Sequence, residues 1–256
     1  MVRWPAQTIA RHAASILAVA AGYYACAVIG TVLSVPPSGF AIIWPATAFL
    51  ISVLLVAPAR LWWGYLGVVL LAHFHLATIF QPAAPFVVVL TQIAGNFALA
   101  IATVLAVQAV TRKPILFDTF RALLIFIVVA GIIVPAAVNS LILLVHLSTG
   151  WIADFGQSWR QWMIAGIFPT LTIPPLIVLA IRGGLTGRPP GSRHSYLELS
   201  IVSVLLFGLA FLSFGGRVSR SHSVALLLTP TPLLLWAAVR LGVGGTSIAL
   251  LSLAAA

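Results

Sequence analysis

Charge is what this sequence lacks. Only 6% of its 256 residues are Asp, Glu, Lys or Arg, and just 3 of them are acidic. A soluble domain carries charge on about a quarter of its residues, so a water-solvated globule of this size is excluded. The alternative is a surface solvated by lipid, with every backbone group hydrogen-bonded internally. Cysteine is nearly absent too. The single thiol, Cys26, lies within an apolar run; it rules out an intrachain disulfide and a cysteine-based zinc site, and reads as a small core residue. The alternating ten-residue segments of a transmembrane barrel are missing. So are G-x-S-x-G, H-E-x-x-H, an intramembrane Asp pair and a phosphate-binding glycine loop, and the chain is expected not to be an enzyme. The net charge of +10 does not point to nucleic acid, because the basic residues are scattered singly without interleaved aromatics.

Long apolar runs are what the sequence has. A span needs roughly 20 apolar residues, and the breaks divide the chain clearly. Runs are expected over 13–33, ending at Val35-Pro36-Pro37-Ser38-Gly39; 40–56, ending at Ala57-Pro58-Ala59-Arg60; 61–80; and 86–110. Further runs follow over 122–147, with Pro135 as a kink; 162–181; 197–214; and 224–239. The fold class is therefore an all-α polytopic transmembrane helix bundle of about eight spans, plus a partial apolar segment after Arg240. The first run is too long for a signal-peptide core and is followed by further spans. The last run stops at Ala256, short of a crossing, so the expectation is one membrane domain over 1–256 that continues further along the chain.

Lys and Arg placement sets an orientation. With the N-terminus in the cytoplasm and about eight crossings, ten basic residues fall in cytoplasmic segments: Arg3, Arg11, Arg60, Arg112, Lys113, Arg121, Arg182, Arg188, Arg193 and Arg240. Only Arg160, Arg217 and Arg220 fall outside, a strong positive-inside bias. Trp62, Trp63, Trp151, Trp159 and Trp162 sit at span ends, where an indole straddles lipid and headgroups.

Polar groups inside spans are the pointers to function, because burying them in lipid is costly. No carboxylate lies at mid-membrane: Asp118 and Asp154 fall in loops and Glu198 at a span entrance. That argues against a proton- or sodium-coupled transporter. His73 and His75 point about 200° apart on a helix and cannot share a metal; with His146 the only other histidine in similar surroundings, interhelical hydrogen bonding explains them better. No metal or cofactor is expected. Asn96, with Thr91 and Gln92 extending its face, and Asn139-Ser140 are polar groups in apolar surroundings. Trp44-Pro45 is expected to break the second span, and Pro169, Pro174 and Pro175 the sixth, each freeing backbone carbonyls that need partners.

The stretch IIWPATAFLISVLLVAPARLWWGYLGVVLLAHF, with Trp44, Pro45, Arg60, Trp62 and Gly67, resembles the membrane-associated sensor domain of bacterial signalling proteins, the first-described type of the MASE series. IAGNFALAIATVLAVQAV resembles its fourth span through Gly95-Asn96. WRQWMIAGIFPTLTIPPLIVLAI resembles its sixth through Trp162 and Pro175, and PLLLWAAVRLGVGGTSIALLSLAAA its closing section. Two carboxylates that the family often carries are missing: the residues from Phe97 to Ala100 are all apolar, and the sixth span reads Ala165-Gly166.

The resemblance implies a sensory input module N-terminal to a histidine kinase or cyclic-di-GMP enzyme, in two-component or cyclic-di-GMP signalling. It implies a multi-pass protein of the bacterial cytoplasmic (inner) membrane with the N-terminus in the cytoplasm. The expected partners are the lipid bilayer, a small-molecule signal or a membrane protein, and a second copy through a downstream signalling domain. Trp44, His73, Asn96, Asn139 and Trp162 are the candidate ligand-binding residues. A transporter or channel for a neutral or anionic solute is the alternative.

Overall fold

The computed structural model of the chain describes residues 6–35, 40–112, 117, 119–181, 193–214 and 230–255. They fall into two compact units, Met1–Leu171 and Thr172–Ala256.

The first unit begins with helix α1 (Ala6–Val32). It runs into a two-residue strand β1 (Ser34–Val35), paired antiparallel with β2 (Phe40–Ala41). The chain stays non-helical to Trp44, and α2 (Pro45–Val56) begins there. Proline is tolerated at the first helical position because its missing N–H would be unpaired there anyway. Trp44-Pro45 therefore starts a helix rather than breaking one, which corrects the expected second span over 40–56. With 12 residues, α2 is about 18 Å long, short of the roughly 30 Å hydrocarbon core. A 3-10 turn (Ala59–Leu61) leads to α3 (Trp62–Phe80), then α4 (Phe86–Thr111).

The fifth run is continuous helix in three parts: α5 (Phe120–Val128), a π-helical turn (Val129–Ile133) and α6 (Val134–Ser148). Thr119 caps its start through Ala122 N (3.2 Å). Pro135 has no N–H and its ring crowds the carbonyl of Gly131. The π turn that contains Gly131 is the accommodation, so widening of the helix stands where a simple kink was expected. Helix α7 (Phe155–Ile181) starts seven residues before the expected 162 and is assigned without interruption through Pro169, Pro174 and Pro175. The expected breaks there are absent.

The second unit contains α8 (Arg193–Phe214), α9 (Thr231–Arg240) and α10 (Gly242–Ala254). Leu199, Val202, Leu206, Ala237, Leu241 and Ala249 form its core. Gly242, at φ 66°, permits the reversal from α9 into α10. The apolar run after Arg240 is thus a helix packed into this core. Most of the expected polar loop 182–195, the basic loop with Arg217 and Arg220, and 224–229 of the expected eighth span lie outside the described residues.

Among the described residues, five helical segments are long and apolar enough to cross a membrane: 12–32, 59–80, 86–111, 120–148 and 155–181. Three shorter apolar helices cover 45–56, 196–211 and 242–254. The distribution of polarity agrees with lipid as the outer solvent. Leu17, Leu71, Phe120, Leu141 and Ile164 are 66–80% exposed, whereas His73, Ser52, Asn96, Thr103, Asn139 and His146 are at most 8% exposed. Polar groups turned inward and large apolar groups outward is the pattern of a bundle solvated by hydrocarbon.

Candidate functional site

The site is organised around a backbone exchange between two prolines. Pro169 carries no N–H, so the carbonyl four residues earlier, on Ala165, lacks its intrahelical donor. Trp44 N donates to that carbonyl at 2.9 Å. The extended segment before α2 is therefore anchored against α7 well inside its length, where non-helical backbone survives only if it is buried in protein or lines a cavity.

The Trp44 side chain continues the network. Its Nε1 donates to Asn96 Oδ1 at 3.2 Å, and the Thr47 hydroxyl donates to the same oxygen. Indole N–H can only donate, which identifies the accepting atom as the amide oxygen. The Asn96 Nδ2 donors have no protein partner among the described residues. His73 meets the edge of the Trp44 ring, with centroids 6.1 Å apart, and its Nδ1 shares a 2.9 Å hydrogen bond with the Tyr23 hydroxyl. Tyr23 is fully buried. Helices α1, α2, α3, α4 and α7 are thus joined through one indole and its neighbours.

A second cluster lies where α4, α6 and α7 meet. His146 Nε2 is 3.1 Å from Thr91 Oγ1, and its ring stands edge-on to Trp162 at 5.5 Å. Asn139 Nδ2 donates to Met163 Sδ at 3.8 Å. Trp159 Nε1 donates to Ser140 Oγ at 3.0 Å, which turns this indole into an interhelical tie rather than the expected interface belt. Asp154 accepts from Gln157 N at 2.8 Å and caps the start of α7.

Both clusters open onto one partly open cavity of about 760 Å³. Trp44, His73, Asn96, Asn139 and Trp162, the five residues singled out from sequence, all line it. His75, two residues from His73, is exposed and packs on Tyr24, with ring centroids 5.7 Å apart. Sequence reasoning missed Tyr23, Thr47, Gln81 and Thr103. The signal was present in part. Gln92, Asn96, Leu99 and Thr103 recur at helical spacing on α4, and Pro135, Asn139 and His146 do so on α6. Among the described residues, Thr103 Oγ1, Gln81 Oε1 and His146 Nδ1 are buried without a hydrogen-bond partner. Among the described residues, no group of three or more His, Cys, Asp or Glu could hold a metal ion.

A helical membrane bundle that turns its polar groups toward one chamber is the class of protein that this fold defines. The chain belongs to the MASE1 family, a membrane-associated sensor domain found in signalling proteins; the family model matches residues 14–256. No curated protein and no solved structure matches the chain.

Proposed function

We propose that this chain is the sensory input domain of a bacterial signal-transduction protein. It takes a small molecule into the cavity between α1–α4, α6 and α7 and controls a cytoplasmic histidine kinase or cyclic-di-GMP enzyme. The observation that carries the reading is the cavity itself. A MASE1 domain concentrates its buried polar side chains around one chamber, and Trp44 joins that chamber to several helices at once. A ligand shifts a helix equilibrium only through differential affinity for its states. A hub bonded to both α4 and α7 converts occupancy into such a difference. The domain itself carries no catalytic role in this reading.

The proposed setting is the cytoplasmic membrane with the N-terminus in the cytoplasm; the ten-to-three distribution of basic residues supports it when all eight apolar runs cross. The test is the output activity of the whole signalling protein carrying Trp44→Phe, Asn96→Ala or Asn139→Ala, at matched membrane levels. Altered signalling in at least one variant is expected; identical signalling from all three refutes the site.

A transport reading is favoured by one feature, the short helix α2 entered from extended backbone, which resembles the half-helices of transporter sites. Solute flux through the purified chain in proteoliposomes would favour it over sensing.

A further inference from the structure

Which chemistry fits the chamber can be read from its wall, on the reading above that the chamber is the sensory site. Among the described residues, no basic side chain lines it. The one charged lining residue among them is Asp154, whose Oδ1 is already engaged in capping α7. Among the described residues an anion would find no cationic partner in exchange for leaving water, which disfavours a charged group in a low-dielectric site. A cation would find one carboxylate at the end of the chamber formed by the start of α7.

The remaining wall is rich in neutral hydrogen-bonding groups. More than half of the lining residues carry one, supplied by α1, α2, α3, α4, α6 and α7 rather than by one end. A quinone or an acyl chain would offer no donor to those of these groups that the protein leaves unpaired. Buried polar atoms normally have partners, yet among the described residues Thr103 Oγ1, Gln81 Oε1 and His146 Nδ1 have none. The unpaired set includes both donors and acceptors. The hydroxyl group is the neutral group that donates and accepts at once, so a hydroxyl-rich molecule satisfies such a set in any order. The indoles of Trp44, Trp151 and Trp162 add flat apolar faces to the same wall, suited to the C–H faces of a ring. The volume, about 760 Å³, falls within the range of small-molecule sites.

We infer that the chamber binds an uncharged polyhydroxylated small molecule, a neutral saccharide or cyclic polyol, through Asn96, Thr103 and the Trp44 indole.

The experiment is binding to the purified full chain in lipid nanodiscs, followed by tryptophan fluorescence and calorimetry. The neutral probes are glycerol, myo-inositol, glucose and maltose. Gluconate and glucosamine serve as charged counterparts of glucose, and menadione as a neutral apolar comparator. Saturable binding of at least one neutral polyol is expected, with gluconate at least about tenfold weaker than glucose. Asn96→Ala and the near-isosteric Thr103→Val should each weaken the bound polyol about tenfold, as loss of one hydrogen bond in a dry site predicts. Tightest binding by gluconate, glucosamine or menadione, or no binding by any polyol, overturns the ligand class. Polyol binding unchanged in both variants overturns the placement. If signalling responds to Asn96→Ala while no polyol binds, the ligand class fails and the sensory reading stands; if polyols bind and signalling ignores all three variants, the reverse holds.

Discussion

Gly30 gives the sharpest test of how the chamber is held. It lies on α1 with its Cα facing the Trp44 indole, and a Cβ built there would stand 2.6 Å from Trp44 Cε3 and 2.9 Å from Cζ3. Carbon atoms settle at about 3.5–4.0 Å, so in Gly30→Ala the ring must retreat by about 1 Å. The Ile43 carbonyl, 3.3 Å from the same Cβ, limits movement of α1 as an alternative. The indole is held through Nε1 at 3.2 Å from Asn96, and a contact stretched beyond about 3.5 Å is no longer a hydrogen bond. Overpacking costs about 1–3 kcal/mol, and the lost hydrogen bond adds about 1 kcal/mol. The gain in helix propensity from Gly to Ala offsets about 1 kcal/mol. The net expectation is a loss of about 1–3 kcal/mol.

The assay is the thermal unfolding midpoint in one detergent, with Gly67→Ala as the control. At Gly67 an added Cβ meets nothing within 4 Å, so only the propensity term applies and stability should hold or rise. Adding Gly30→Ala to Trp44→Phe should cost less than adding it to the wild type, because the smaller ring withdraws the atoms that clash. Gly30→Ala as stable as Gly67→Ala, with no dependence on residue 44, refutes the packing argument.

Tyr23→Phe and His73→Phe should each lower the midpoint, and together lower it by less than their sum, with a coupling of about 1 kcal/mol from the hydrogen bond they share; strict additivity in a double-mutant cycle counts against that bond. Glu198→Gln should shift stability by less than about 0.5 kcal/mol, because Arg240 is 44% exposed and the amide oxygen still accepts from Trp236 Nε1, now 2.8 Å from the carboxylate. A larger loss in the same thermal assay would show that the Glu198 charge, 18% exposed, contributes more than a pair with the half-exposed Arg240 accounts for.

Much of the architecture was legible because lipid imposes a length on apolar runs. The helices at 86–111 and 120–148 lie within a few residues of the runs read from sequence. The second run could not be read in the same way. Residues 40–56 are apolar apart from Thr47 and Ser52, and hydropathy does not distinguish extended backbone lining a chamber from helix facing lipid. Pro45 was the available clue, since proline suits a first helical position at least as well as a break. His73, Asn96 and Asn139 came from a sound physical rule, that a polar group in a span needs a reason, and Trp44 and Trp162 from the family resemblance. That they converge on one chamber follows from helix packing, which no spacing within a single segment reveals. Trp159 and Trp162 were misread as belt residues because a span-end position does not say which way an indole turns.

The pairing of Pro169 with Trp44 shows how the two halves of that problem meet. A proline in a membrane helix leaves an acceptor without its donor, and hydrocarbon cannot satisfy it. Here the missing donor comes from the one residue that ends an extended segment and starts α2, so the bond joins two segments more than a hundred residues apart. The same residue's side chain reaches Asn96. On the proposed sensory reading, a molecule that engages Asn96 pulls on an indole whose backbone is fixed to α7 and whose ring is pressed against Gly30 of α1. That reading couples occupancy to helix position through three contacts of one residue. Trp44→Phe, which keeps the backbone bond and removes the indole N–H, should accordingly uncouple signalling from binding more than it weakens the fold.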